Sequence, residues 1–193
     1  MRSTLDGECE IEVKTDRKET MNSRNKLMLG AGLGAVVLAV TAYAAVFNLL
    51  AVGTLPDSEI IGGPATVTFR QLLMDPNEES LWHYHPGVLI SVIKRGSVTV
   101  EDGCGEEETY TAGQSFEAIG GRVHRAKAGA DQLEEYNVFI RPEGMPTGVT
   151  LPERRCGPPR SRHECTHGGW TTFTHPTNFK NQGDCIQFVK NKD

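Results

Sequence analysis

Positive charge is scarce in this chain of 193 residues: 20 Lys and Arg stand against 25 Asp and Glu, for a net charge of −5. The one basic concentration runs from Arg154 to Arg162. A chain without a basic stripe cannot track a phosphate backbone, which excludes nucleic acid as a partner. Helical periodicity is missing between residues 65 and 142, and no helix-turn-helix pattern occurs, so a DNA-reading regulator is excluded on a second ground. The length is enough for one domain with extensions and too short for a two-domain enzyme.

Charge of either sign disappears altogether from Leu27 to Val52, a run of 26 residues. A helix of that length, at about 1.5 Å per residue, crosses a hydrocarbon core of roughly 30 Å. Arg24 and Lys26 precede the run, and Asp57 and Glu59 are the first charges after it. That asymmetry predicts a cytoplasmic tail over 1–26, a membrane-spanning helix over 27–52 and everything beyond it on the outside. A signal peptide is the second reading. Ala42-Tyr43-Ala44 has the small-x-small form of a cleavage site after Ala44, and a start at Met21 in place of Met1 leaves the short basic segment a secretory core needs. Ala45 to Val52 stays apolar beyond that site, which favours the anchor, so both readings stand. Either one makes the remainder membrane-anchored outside the cytoplasm or secreted, where cysteines pair. Cys9 falls on the inner side and leaves an even set of four, Cys104, Cys156, Cys165 and Cys185.

Turn residues fill 53–64, which reads as a linker. Short alternating or β-branched runs follow at 65–73, 81–85, 98–101, 109–111, 115–119, 122–127 and 133–141, and 88–93 is apolar at nearly every position, as expected for a strand buried on both faces. Turns such as Asp75-Pro76-Asn77, Lys94-Arg95-Gly96-Ser97 and Ala112-Gly113 separate them. That rhythm predicts an all-β sandwich or barrel over 65–142. Two histidines, His83 and His85, sit one residue apart in it. Side chains of a strand alternate faces, so both imidazoles leave the same side about 7 Å apart and one metal ion can be gripped by both. His124 has to arrive from another strand, which a sheet closing on itself provides. By parity Trp82 and Tyr84 face away. Gln114, Glu117, Glu134 and Tyr136 read as solvated, and no catalytic base is assigned.

These residues resemble the cupins, small barrels with a metal site in the bore. The first cupin motif has Gly, five residues, His-x-His, three or four residues, Glu, six residues and Gly. His83, His85 and Gly96 fall in place, while Asn77 stands at the first Gly and Leu89 at the Glu. The second has Gly, five residues, Pro-x-Gly, two residues, His, three residues and Asn. Gly113, Gly121 and His124 fit it, and Ile119 and Ala128 replace the Pro and Asn. The resemblance covers residues 65 to 142 and implies a double-stranded β-helix, or jelly roll, and a homodimer. The run from Leu81 to Gly87 and that from Tyr110 to Phe116 also look like exported bacterial single-domain cupins.

The resemblance implies a divalent metal, Fe, Mn, Ni or Zn, on His83, His85 and His124, since imidazole suits them all. With Leu89 at the acidic position the ion keeps its full charge, leaves positions open and favours a small anionic ligand. Two functions of different classes follow. One is a mononuclear metal-dependent dioxygenase or isomerase acting on a small carboxylate, enediol or thiol. The other is a non-enzymatic module that captures a small molecule or metal ion, with a degenerate site.

Residues 143–162 are rich in Pro and Gly and read as a second linker. Beyond it, 163–193 carries Cys165, Gly168-Gly169-Trp170 and Phe179-Lys-Asn-Gln-Gly-Asp-Cys185, and resembles a short C-terminal segment of exported bacterial proteins. About 30 residues cannot fold on apolar burial alone. A Cys165–Cys185 bridge would add about 3 kcal/mol, and elimination then pairs Cys104 with Cys156. Zinc on Cys156, His163, Cys165, His167 and Cys185 is the rival reading, although the spacing repeats no common finger.

Overall fold

Alternation of apolar and polar residues organises the chain into ten strands in a computed structural model, which describes residues 45–191. They are β1 (Val46–Ser58), β2 (Gly63–Met74), β3 (His83–Tyr84), β4 (Val88–Arg95), β5 (Ser97–Asp102), β6 (Glu107–Thr111), β7 (Ser115–Ala118), β8 (His124–Ala128), β9 (Leu133–Pro142) and β10 (Val149–Thr150). One sheet has the order β1-β2-β9-β4-β7 and the other β10-β3-β8-β5-β6, with antiparallel pairing throughout. From β6 onward each successive strand crosses to the opposite sheet, the winding of a jelly roll, and the chain is all-β here as the alternation predicts.

Residues 46–58 correct two expectations. The outer end of the expected membrane helix, 46–52, and most of the expected linker, 53–64, are strand β1 and the turn after it. The strand is paired with β2 from Val46 opposite Leu73 to Ser58 opposite Gly63. Hydropathy alone cannot find this boundary, because Val46, Phe47, Leu49, Leu50 and Val52 suit a strand as well as a membrane. Residues 1–44, with the expected cytoplasmic tail, Cys9, Met21, most of the expected span and the Ala44 site, lie outside the described residues. Among the described residues no helix is long and apolar enough to cross a membrane.

The inward faces close over an apolar floor of Leu72, Met74, Ile93, Val98, Ala128 and Leu133. A fully buried side chain of this size contributes about 1.5–3 kcal/mol, and Val98 and Leu133 are wholly shielded from solvent. Leu89, Ala118 and Phe139 form a second cluster, whose Phe139 ring lies 5.1 Å from that of His85. Turn geometry explains the glycine positions of the family motifs. Gly96 and Gly121 have φ of 76° and 82°, and Asn77, standing at the first Gly, adopts φ 62°, a left-handed conformation asparagine tolerates.

Residues 151–191 pack against the second sheet. Two short 3-10 turns, His163–Cys165 and Gly169–Thr171, precede α1 (Gln182–Lys190), whose N-cap Asn181 accepts from the Asp184 amide at 2.9 Å. Nine residues that begin on Gln-Gly show too little apolar period to be read as a helix in advance. Cys156, Cys165, Phe173, Phe179, Cys185 and Val189 form their core. The bridges are Cys104–Cys156 and Cys165–Cys185, so the three cysteines of the candidate zinc set, Cys156, Cys165 and Cys185, are all taken up in disulfides and no zinc cluster forms from them. The segment docks where β8 begins: Val123 donates its amide to the Gly157 carbonyl at 3.1 Å, and Arg122 pairs with Asp102 and reaches Glu164 at 3.9 Å.

Candidate metal centre

Register brings the three histidines together. His83 on β3 stands directly opposite His124 on β8, and His85, two residues on, projects from the same face. The ring centroids are 4.5 Å apart for His83 and His124, 5.0 Å for His83 and His85, and 5.1 Å for His85 and His124. One ligand nitrogen from each lies within 4.8 Å of the other two. His85 and His124 are buried, at 4 % and 6 % exposure, and His83 is partly buried.

Each ring is oriented by a backbone carbonyl. His83 Nδ1 meets the Leu81 carbonyl at 2.8 Å, His85 Nδ1 that of Thr147 at 2.6 Å, and His124 Nδ1 that of Arg122 at 3.0 Å. A carbonyl only accepts, so each Nδ1 carries the proton and each Nε2 keeps its lone pair. His85 Nε2 is buried with no hydrogen-bond partner among the described residues. Burial holds all three rings neutral. It lowers His83, pulls His85 well below its ordinary value with the neighbouring histidines adding to the effect, and brings His124 to about 3. Three converging lone pairs on neutral, backbone-oriented imidazoles are a donor set that fits a divalent cation.

The acidic position of the family motif is filled by apolar surface. Leu89 on β4 is 5 % exposed and packs with Ala118 and Phe139, and among the described residues no carboxylate joins the three histidines as a potential ligand. Trp82 and Tyr84 face away as parity predicts. Trp82 lies under the Arg125 guanidinium at 4.9 Å, and the Tyr84 ring meets His175 at 4.8 Å. Gln114 and Glu117 are exposed as expected, but Glu134 is not solvated: it lies on the outer face covered by Gln71 and Lys94, which reach its Oε1 at 2.7 and 2.9 Å, and Tyr136 beside it is half-buried.

Sequence reasoning missed the polar side chains on the bore's opposite wall. Arg70 and Thr68 on β2 and Glu135, Asn137 and Arg141 on β9 share the inward parity of Leu72 and Phe139. Asn137 ties several of them together. Its Nδ2 donates to Ser91 Oγ at 3.0 Å and Glu135 Oε1 at 2.9 Å, and its Oδ1 accepts from Arg70 Nε at 3.3 Å. Burial pushes the Glu135 carboxyl up, against the hydrogen bonds from Asn137 and Ser91 and the charge of Arg70. The period of two that placed the histidines places these residues as well.

No protein-family model matches the sequence, and no curated protein matches it. Among solved structures it is similar to a cupin-like protein from Thermotoga maritima, at 19 % identity over 52 % of this chain and 74 % of that one, with a TM-score of 0.41. KdgF from Halomonas is similar at 19 % identity, 52 % and 81 % coverage and a TM-score of 0.41. A cupin superfamily protein from Desulfitobacterium hafniense follows at 12 % identity, 49 % and 78 % coverage and 0.36.

Proposed function

We propose that this chain is an exported barrel protein that holds one divalent metal ion through His83, His85 and His124. The open positions of the ion serve a small anionic ligand, for its oxygenation or isomerisation. The observation that carries this reading is the set of three Nδ1–carbonyl pairs, which leave three Nε2 lone pairs aimed into one buried space. When bound, the ion supplies Lewis acidity or a site for oxygen according to its identity, Fe, Mn, Ni or Zn. The chain's own part is to fix the rings and keep water out. The carbonyls of Leu81, Thr147 and Arg122 lock the tautomers, and Leu89 and Phe139 supply a dry wall, with the Phe139 ring 5.1 Å from His85.

The test is metal analysis of the full chain produced with export into an oxidising compartment. One ion per chain is expected in the wild type, as three imidazoles and open positions require, with near-complete loss in both His83→Ala and His124→Ala. Metal content unchanged by both substitutions sinks the reading. Stoichiometric iron directs the search to oxygen uptake, and bound metal without turnover moves the assignment to capture.

Export with cleavage after Ala44 is part of the proposal. Two disulfides favour an oxidising compartment, and strand β1 uses residues 46–52 in the barrel, where an anchor would keep them in lipid. An intact mass beginning at Ala45 is expected for exported material. A mass that retains the preceding residues returns the anchor.

A further inference from the structure

The wall facing the histidines is built like an anion site. Arg70 lies on the inward face of β2, with its guanidinium held between two phenyl rings, 4.3 Å from the Phe47 centroid and 4.4 Å from that of Phe139. Rings above and below leave only the edge of the fork for hydrogen bonds. One edge atom, Nε, donates to Asn137 at 3.3 Å, and among the described residues neither Nη group has a hydrogen-bond acceptor. Phe139 also touches His85, so one ring is shared between the guanidinium and the histidine cluster.

The next inward rungs of the β2–β9 ladder are Thr68 opposite Phe139 and Thr66 opposite Arg141. Thr68 Oγ1 and Arg141 Nε and Nη1 are buried without a partner among the described residues. Glu135 Oε2 is the one acceptor of this wall in the same position among the described residues; a buried polar group left unmade costs about 1–3 kcal/mol, and the excess of unmade donors points to a ligand that brings acceptor oxygens. Charge points the same way. Burial pulls Arg70 to about 10, still charged at neutral pH, and lowers Arg141, which no acid among the described residues offsets, while among the described residues Glu135 is the acid coupled to Arg70 and is itself pushed upward by burial. A divalent ion on three uncharged imidazoles would add to that positive excess.

We infer that Arg70, clamped by Phe47 and Phe139 and assisted by the Thr68 hydroxyl, is the carboxylate-binding fork of this site, and that the ligand is a short carboxylic acid with a second donor for the metal. The inference rests on the metal reading for that second donor and on the wall alone for the fork. It gives the strand β1 a role in the site, since Phe47 completes the clamp.

Oxalate is the probe. The full chain and its Arg70→Gln, Arg70→Lys and Thr68→Val variants are loaded with Co(II), and oxalate is titrated by calorimetry and by the visible absorption of the cobalt. Melting curves check that each variant is folded. Co(II) uptake is expected to be unchanged or stronger in Arg70→Gln, because a neighbouring positive charge is gone. Oxalate binding is expected to weaken about 10- to 100-fold, the loss of a charged hydrogen bond. Arg70→Lys keeps the charge and loses the fork, so its affinity falls between the two. Thr68→Val weakens binding several-fold while raising the melting temperature, and carries the test if Arg70→Gln does not fold. Normal Co(II) uptake with equal oxalate affinity in all four proteins overturns the fork and leaves the metal centre standing. If the wild type takes up no Co(II), the metal centre fails, and the titration is read on the metal-free chain. There, equal affinity in wild type and Arg70→Gln, or no binding by the wild type, overturns the fork.

Discussion

Replacing Cys104 and Cys156 with serine is expected to lower the melting temperature by about 10 °C and to weaken metal binding with it. The bridge spans a sequence separation of 52, and in the chain-entropy model its loss frees about 4 kcal/mol of unfolded-state entropy. In a domain of this size 1 kcal/mol moves the midpoint by about 2–4 °C. The effect reaches the histidines because of what the bridge holds in place. A Cβ on Gly103 would overlap the Arg155 backbone, so the β5–β6 turn and the residue before Cys156 are already in contact. Val123, bonded to Gly157, and Arg122, bonded to Asp102, immediately precede His124, and the Arg122 carbonyl is what orients the His124 ring. Cys165 and Cys185, with a separation of 20, contribute about 3 kcal/mol on the same account. Their replacement is expected to open the 163–191 segment to protease while the barrel stays protected. Thermal melts and metal titrations with and without reductant check this. Melting and metal affinity unaffected by reduction would show that the bridges hold nothing the centre uses.

How far the sequence discloses this molecule follows from the range over which each signal is read. Local patterning places β2 through β9 and the inward parity of His83 and His85 without reference to the rest of the fold, but the apolar run 88–93, which reads as buried on both faces, is buried on one only: Leu89, Ser91 and Ile93 point inward while Ile90 and Val92 are 41 % and 46 % exposed. The pairing of His83 with His124 spans 41 positions and is set by β3 and β8 lying side by side, which only the family spacing suggests. The run ending at Val52 is ambiguous because strand and membrane helix both want apolar side chains, and what decides for β1 is the partner strand, Val46–Ser58 against Gly63–Met74. Arg70 shows a different limit. A lone arginine within TVTFRQLL reads as a solvated residue, because no local pattern announces that Phe47 and Phe139 will arrive on either side of its guanidinium. The C-terminal helix is hidden for want of length: its stability comes from Asn181 at its start and from Cys185 and Val189 packed on Phe179.

The metal-free protein is expected to lose stability steeply as pH falls from about 6.5, the value of an unperturbed histidine, while the metal-loaded protein holds through the first part of that range. Burial lowers all three histidines in the folded chain, His124 to about 3 and His85 well below its ordinary value. Below an unfolded value of about 6.5 the unfolded chain therefore binds protons that the folded chain refuses, and the free energy of unfolding falls with pH. Stability from the neutral rings is fully present above the unfolded value and drains away as pH drops toward the folded values. Glu135 opposes this. Its folded value is raised, so protonation in the acid range favours the folded state, but it is one group against three. A bound ion adds RT ln(1 + [L]/Kd) to the folded state. Because the rings are already neutral at pH 7, the histidines themselves give up few protons on binding there, so from about pH 8 to about pH 6 they add little to the pH dependence of metal affinity, unlike those of sites that must first shed protons. Denaturant titrations across this range, with and without zinc, read both effects, and calorimetry in buffers of different ionisation heat reads the protons released. Metal-free stability that is level from pH 7 to pH 5, or proton release that rises as pH falls from 7 to 6, where bound water ionises less, would mean that the histidines are solvated and charged rather than a buried, preformed ligand set.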